Sequence, residues 1–291
     1  MAQEMLIGDG TTYFNSRELP PMRKSILTLS VAAALALPAL AAAQSAPASP
    51  VAGNMTIASD YRFRGISQTY LGPTIQGGVD YAHPSGIYLG NWNSNVASQV
   101  FTGGSGIEMD FYGGWKKSFG DIGLDFGAIY YYYPNAEFDG GAGSAKFDNF
   151  EVYVGASWKW LSAKFSYALS DYFGLASEQA AGGYWVNRDT GALLSSRSGS
   201  DGTWYLDLTA TVPLSKELSV VGHFGMLEVN SYSELDYKDW KLGVTYDFHG
   251  WILGAAYVDT DADKGWYYTG GSNGNKAIGD STVVFSVMKT F

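Results

Sequence analysis

"KDWKLGVTYDF", residues 238–248, decides how this chain folds. Trp240, Leu242, Val244 and Tyr246 take every second position, and Lys241, Gly243, Thr245 and Asp247 fill the gaps. Successive side chains of a strand point to opposite faces, so a period of two describes a strand with one apolar and one polar face. Three other stretches repeat the pattern. "GIEMDFYGGWK" (106–116) sets Ile107, Met109, Phe111, Gly113 and Trp115 against Glu108, Asp110 and Tyr112. "NFEVYVGASWK" (149–159) sets Phe150, Val152, Val154, Ala156 and Trp158 against Glu151, Tyr153, Gly155, Ser157 and Lys159. "TWYLDLTATVPL" (203–214) sets Trp204, Leu206, Leu208, Ala210 and Val212 against Tyr205, Asp207, Thr209 and Thr211.

Working outward, the alternation predicts twelve strands, near 54–64, 73–82, 87–96, 106–116, 121–133, 149–159, 162–171, 203–212, 218–228, 238–247, 251–260 and 281–291. Their connections alternate in length. "HPSG", "KSFG", "WLS", "PLSKE" and "FHG" are short; 65–72, 97–105, 134–148, 172–202, 229–237 and 261–280 are mostly longer and rich in Gly, Ser, Asn and Asp. An even strand number, strands of about ten residues and loops sorted by end predict an all-β fold, an antiparallel transmembrane β-barrel of about 12 strands with short periplasmic turns and long external loops. On the faces read as outward, aromatics gather at strand ends, as in the girdles at lipid–water boundaries.

Composition agrees. Aromatics make up 15% of the chain, and charged residues only 16%, against a usual quarter. A face turned to lipid accounts for the deficit. The formal net charge of −10 argues against nucleic acid as a partner. Cysteine is absent, so no disulfide staples the fold. After the N-terminal segment no apolar run reaches the length of a spanning helix.

The N-terminus reads as processing signal. Met22-Arg23-Lys24 is a basic n-region, Ser25–Leu40 an apolar h-region, and Ala41-Ala42-Ala43 a small-residue cleavage site. Residues 22–43 are therefore expected to be a signal peptide and 44–53 a short linker before the barrel at 54–291. Residues 1–21 carry Glu4, Asp9 and Glu18 ahead of the n-region, and are read as an upstream extension beyond the true start. The chain ends on Phe291, in phase with Val283, Phe285 and Val287. A terminal aromatic of this kind resembles the mark read by the barrel-assembly machinery, an expected partner in export; Lys289 falls in the same phase and departs from it.

"SDYRFRGISQ" (59–68) closes the first predicted strand. Its alternation assigns Tyr61 and Phe63 to the external girdle and turns Asp60, Arg62 and Arg64 into a watery lumen. The inward phases of the other strands add Asp80, Glu108, Asp110, Asp125, Glu151, Lys164, Asp207, His223 and Lys241 as pore-lining residues. Carboxylates outnumber bases in this set, which predicts mild cation preference. Arg62 and Arg64 either set up a field across the lumen or pair with Asp60 and Asp80 to lock the first two strands.

"FRGISQ" (63–68), "IQGGVDY" (75–81), "SGIYLGNW" (85–92) and "SNV" (94–96), with "EMDFYGGW" (108–115), 165–174 and "FSVMKTF" (285–291), resemble the TorF-like porin family, conserved hypothetical outer-membrane barrel proteins. The resemblance spans the chain after the N-terminal segment. It implies the outer membrane of a Gram-negative envelope more firmly than any substrate, since fold alone does not give function.

No catalytic, cofactor-binding or metal-ligating set is expected. His83 and His249 fall in short turns, and His223 faces the lumen alone of the three histidines. Asp259, Asp261 and Asp263 alternate as in a calcium loop, but Lys264 and Gly270 stand where the helix–loop–helix motif needs Gly and Glu. The sequence reads as a non-enzymatic channel for passive diffusion of small hydrophilic solutes, touching outer-membrane lipid and lipopolysaccharide. The alternative is a closed or plugged barrel with a structural or adhesive role, because inward Tyr112, Tyr131, Tyr133, Tyr153 and Tyr205 are bulky enough to fill a lumen. The 172–202 loop either folds into the lumen or lies outside.

Overall fold

A computed structural model describes residues 49–101, 104, 106–139, 144–176, 185–195, 197–270 and 274–291. The segments expected as upstream extension and signal peptide, and residues 44–48 of the expected linker, lie outside the described residues; the linker expectation is corrected at its end, since Val51, Ala52 and Gly53 already belong to the first strand. Twelve strands form a closed antiparallel barrel: β1 Val51–Ala58, β2 Thr74–Ala82, β3 Ile87–Asn95, β4 Ile107–Phe119, β5 Ile122–Tyr132 and β6 Asn149–Trp158, then β7 Leu161–Ala168, β8 Trp204–Pro213, β9 Leu218–Glu228, β10 Tyr237–Phe248, β11 Trp251–Thr260 and β12 Thr282–Thr290. Each strand pairs with its neighbours in sequence, and β1 closes on β12 with Ile57 opposite Val287. Closure leaves no unpaired edge, which lets a sheet sit in an apolar medium.

The short connections lie at one end of the barrel and the long ones at the other. His249 and Gly250, both at positive φ (53° and 81°), join Phe248 to Trp251. Positive φ at both central residues marks the two-residue turn whose twist matches a hairpin.

The outer wall is apolar: Ile75, Leu89, Phe126, Leu208, Leu242 and Phe285 are all exposed. Tyr130, Tyr132, Tyr167 and Tyr257 ring it at the long-loop end, and Trp158, Trp160, Phe248 and Trp251 at the short-turn end. At that end the Lys289 ammonium stands 5.4 Å from the Trp251 ring centre, so the residue that departs from the terminal pattern lies with its charge at the rim. No helix of the described residues is long and apolar enough to cross a membrane.

Inside, large and small residues interleave. Tyr112 lies over Gly90 and Tyr205 over Gly225, so closely that a Cβ at either glycine would strike the ring.

One strand differs from expectation. β1 ends at Ala58, not near 64. From Ser59 the chain leaves the wall and turns into the bore. Tyr61 is therefore no girdle residue; it is fully buried, and Phe63 packs against Tyr131 and Phe173. Alternation encodes which way a side chain faces in a sheet. It does not encode whether the stretch belongs to the sheet.

Candidate functional site

The inturned segment, 59–73, is built around a tight hairpin. Arg62 pairs with Ser67 and Phe63 with Ile66. The two turn residues, Arg64 and Gly65, have φ of 48° and 81°, the geometry that favours glycine at the second position. Gly65 is demanded twice, because a Cβ there would come within 2.7 Å of Asp239 Cβ on β10 and would also strike the Thr260 methyl of β11. The tip thus presses on the wall at β10 and β11, three and two strands from β1.

Polar contacts tie the hairpin in place. Asp60 accepts hydrogen bonds from Arg62 Nε (2.5 Å), Ser67 Oγ (2.6 Å) and Thr69 Oγ1 (2.9 Å). Arg62 Nη1 donates to the carbonyls of Gly65, Ile278 and Asp280 at 2.9, 3.1 and 2.9 Å. Arg64 crosses to β6, where Nη2 meets Glu151 Oε2 at 2.6 Å, while Nη1 donates to the Tyr172 hydroxyl at 3.1 Å and the guanidinium stands 4.4 Å from the Tyr205 ring centre. Tyr61 donates to Glu108 Oε1 at 2.7 Å, Tyr133 donates to Oε2 at 2.8 Å, and Trp92 meets the Tyr61 ring edge-on. The segment therefore touches β3, β4, β5, β6, β8, β10 and β11. It spans the bore near the long-loop end.

Two further groups lie between the hairpin and the short turns. On one side Tyr112 donates to Asp80 at 2.6 Å and Tyr88 to Asp125 at 2.7 Å; the Tyr88 and Tyr153 hydroxyls also meet, and Lys116 and Lys164 stand over the Tyr88 and Tyr153 rings. On the other side His223 is held by Asp239 (Nε2 to Oδ1, 2.9 Å) and Thr209 (Nδ1 to Oγ1, 3.1 Å), with Asp207 3.5 Å away. Lys241 is its cross-strand neighbour. Thr209 donates to Asp207 at 2.8 Å, so its hydroxyl proton points away from the imidazole. Thr209, His223 and Asp239 have the residue types of a nucleophile–base–acid chain, but no such proton relay runs through them.

The wall residues read as pore-lining, Asp80, Glu108, Asp110, Asp125, Glu151, Lys164, Asp207, His223 and Lys241, all lie on inward phases of their strands. Asp60, Arg62 and Arg64 lie inside the bore but on the hairpin. The watery surroundings expected for these three are corrected: all are buried, and pairing rather than hydration offsets their charge. Of the two pairs expected to lock the first strands, Arg62 takes Asp60, but Asp80 takes the Tyr112 hydroxyl and Arg64 takes Glu151. Part of the 172–202 loop also enters, since Phe173 packs on Phe63, Tyr131 and Tyr133. Sequence reading missed Asp239 and Lys116, though both share the phase of residues it selected. It had no signal for Tyr172 and Phe173. Of the alternating acids at 259, 261 and 263, Asp261 accepts from Lys238 N at the end of the β10–β11 pair and Asp263 from Gly265 N in a local turn.

Fold and site together define a closed twelve-stranded barrel with an apolar exterior and a charged bore crossed by its own chain. A family model described as a bacterial protein of unknown function, Gcw_chp, matches residues 42–291, and the chain belongs to that family. No curated protein matches it. Among solved structures, the KdgM porin is similar over 82% of this chain and 99% of its own, at 8% identity and a TM-score of 0.47. The NanC porin matches over 82% and 98%, at 9% identity and 0.47. The outer membrane protein OprD from Pseudomonas aeruginosa covers 76% of this chain and 59% of its own, at 10% identity and 0.34.

Proposed function

We propose that this protein is a porin-like barrel of the bacterial outer membrane, shut in this conformation by the 59–73 segment. The long-loop end is external and the short-turn end periplasmic. The observation that carries the reading is that a separate chain segment spans the bore, held largely by hydrogen bonds and ion pairs. A wall that was sealed only by its own side chains would need no such element. With the segment displaced, small hydrophilic solutes and ions pass along a wall rich in Asp80, Asp125 and Asp207, which favours cations. The resemblance to TorF-like porins supports this assignment, as does an outer face suited to lipid. No chemistry on a substrate is proposed.

A second reading has its own observation. Val221, Val284 and Ser219, inward on β9 and β12 and outside the hairpin's reach, are almost wholly buried. On that reading the barrel stays closed and serves the envelope through its loops.

Planar-bilayer recordings of the wild type and of Arg62→Ala/Arg64→Ala separate the two. Rare steps in the wild type that become frequent in the variant, with a reversal potential favouring cations, support the gated channel. Silence in both at every voltage removes it and leaves the closed barrel.

A further inference from the structure

On the long-loop side of the hairpin lies a partly open cavity of about 310 Å³. Phe63, Ile66 and Gln68 of the inturned segment belong to its lining, and Leu175, Trp185, Leu235, Tyr237, Trp266 and Ile278 form much of the rest. None of the described lining residues is Asp, Glu, Lys, Arg or His. Four of the lining side chains have polar groups committed within the protein. Tyr267 donates to Leu235 O at 2.6 Å, the Tyr172 hydroxyl accepts from Arg64, Gln68 Nε2 donates to Ile66 O at 2.9 Å, and Thr269 Oγ1 donates to Gln99 O.

We propose that this cavity is a binding site for an uncharged, largely apolar small molecule with about two fused rings, entering from the external side. Three arguments converge. Packed protein leaves few hollows larger than a water molecule, so a partly open hollow of this size among this many aromatics is space kept open. An apolar cavity of about 150 Å³ accepts a benzene ring; twice that volume takes two rings and lies at the lower end of ligand pockets. Tyr267 meets both Trp185 and Tyr237 edge-on, with centroids at 6.1 and 5.1 Å, which leaves ring faces and edges to receive an aromatic guest. A charged guest would lose its hydration and find no counter-charge on the described lining.

The position of the site adds a consequence. Phe63, Ile66 and Gln68 reach the cavity only while the hairpin is turned inward, so the ligand binds that state alone. By linkage, ligand at 100 times its Kd raises the ratio of inturned to displaced segment about 100-fold. The site itself rests on the cavity; only an effect on conductance rests on the channel reading.

The test uses the full chain in lipid nanodiscs titrated with 1-naphthol by calorimetry, with empty discs as the reference. One saturable site above disc partition is expected, with anionic 2-naphthoate at least tenfold weaker. Ile278→Trp and, separately, Leu235→Phe fill part of the void and should each weaken 1-naphthol at least tenfold while the barrel still migrates differently before and after boiling. If the tryptophan variant fails to fold, the phenylalanine variant decides. Bound 1-naphthol should also slow amide exchange across 59–73. Binding no greater than to empty discs, binding unchanged in the folded filling variants, equal binding of 2-naphthoate, or unchanged exchange in 59–73 would each overturn the proposal. None of these readouts needs a conducting state, so the site and the channel fail separately.

Discussion

Arg64, at the tip of the inturned hairpin, meets Glu151 of β6 across the bore at 2.6 Å, with only 7% and 2% of the two side chains exposed. Nothing near either residue in sequence requires the other. A carboxylate so buried is costly unless paired, and so is the guanidinium. The pair therefore makes the inward hairpin and the acidic wall conditional on each other.

Among the described residues, Arg64→Ala leaves Glu151 with the Asn149 amide at 3.0 Å as its remaining side-chain partner. Removing one member of a buried pair costs about 3–5 kcal/mol. Amide exchange in 59–73 is expected to accelerate by orders of magnitude while the barrel strands stay protected. Unaltered exchange there would show that the pair does not hold the hairpin.

Gly65→Ala attacks the same element sterically. The new methyl would meet Asp239 Cβ at 2.7 Å, and φ of 81° is unfavourable for alanine. The hairpin is expected to loosen by more than about 1 kcal/mol, read as raised bilayer conductance and a lower temperature for heat-modified migration. A variant as tight and as silent as the wild type would argue that the tip does not bear on β10 and β11.

The lipid face gives a test of register. Leu208→Arg and Val244→Arg project charge from the exposed mid-wall, at a cost of about 2–4 kcal/mol at mid-membrane depth. Thr211→Arg, on the inward phase near the short turns and half-buried, reaches water at that end and should assemble nearly normally. Inward Thr209 and Thr245 are poor comparisons: Thr209 is hydrogen-bonded to Asp207 and His223, and Thr245 is buried. Equal folded yields for Leu208→Arg and Thr211→Arg would contradict the assignment of faces.

Outside the barrel wall, Arg197 grips Glu234 at 2.5 and 2.9 Å and holds its carboxyl below the usual range. The folded pKa thus lies under the unfolded value of about 4.3. The contribution is full above that value and is lost as pH falls through the folded pKa. For so exposed a pair it is about 1 kcal/mol or less. Exchange in 229–236 should rise on acidification below about pH 4 in the wild type, and Glu234→Gln should show the raised rate already at pH 7. A flat wild-type profile would remove the pair from any role in holding the loop.

Much of the barrel was legible because its signal is local. A strand between lipid and a polar bore must alternate, so 149–159, 203–214 and 238–248 disclose both the strand and the face of each residue. Loops sorted by length gave the two ends, since hairpin turns close in two residues. Asp80, Glu108, Glu151 and Lys241 lie on the inward phases their spacing implies.

The path of 59–73 is another matter. "DYRFRG" alternates as well as any wall strand, and taken alone it continues β1. Its course is set by partners far away in the chain: Glu108, Glu151, the Tyr205 ring and the carbonyls of Ile278 and Asp280. These converge only once the barrel closes. Burying two arginines is tolerable where such acceptors already wait, and prohibitive where they do not. A period in sequence reports the direction of a side chain relative to its own backbone. Whether that backbone joins the wall or crosses the bore depends on long-range pairing, which no local pattern contains.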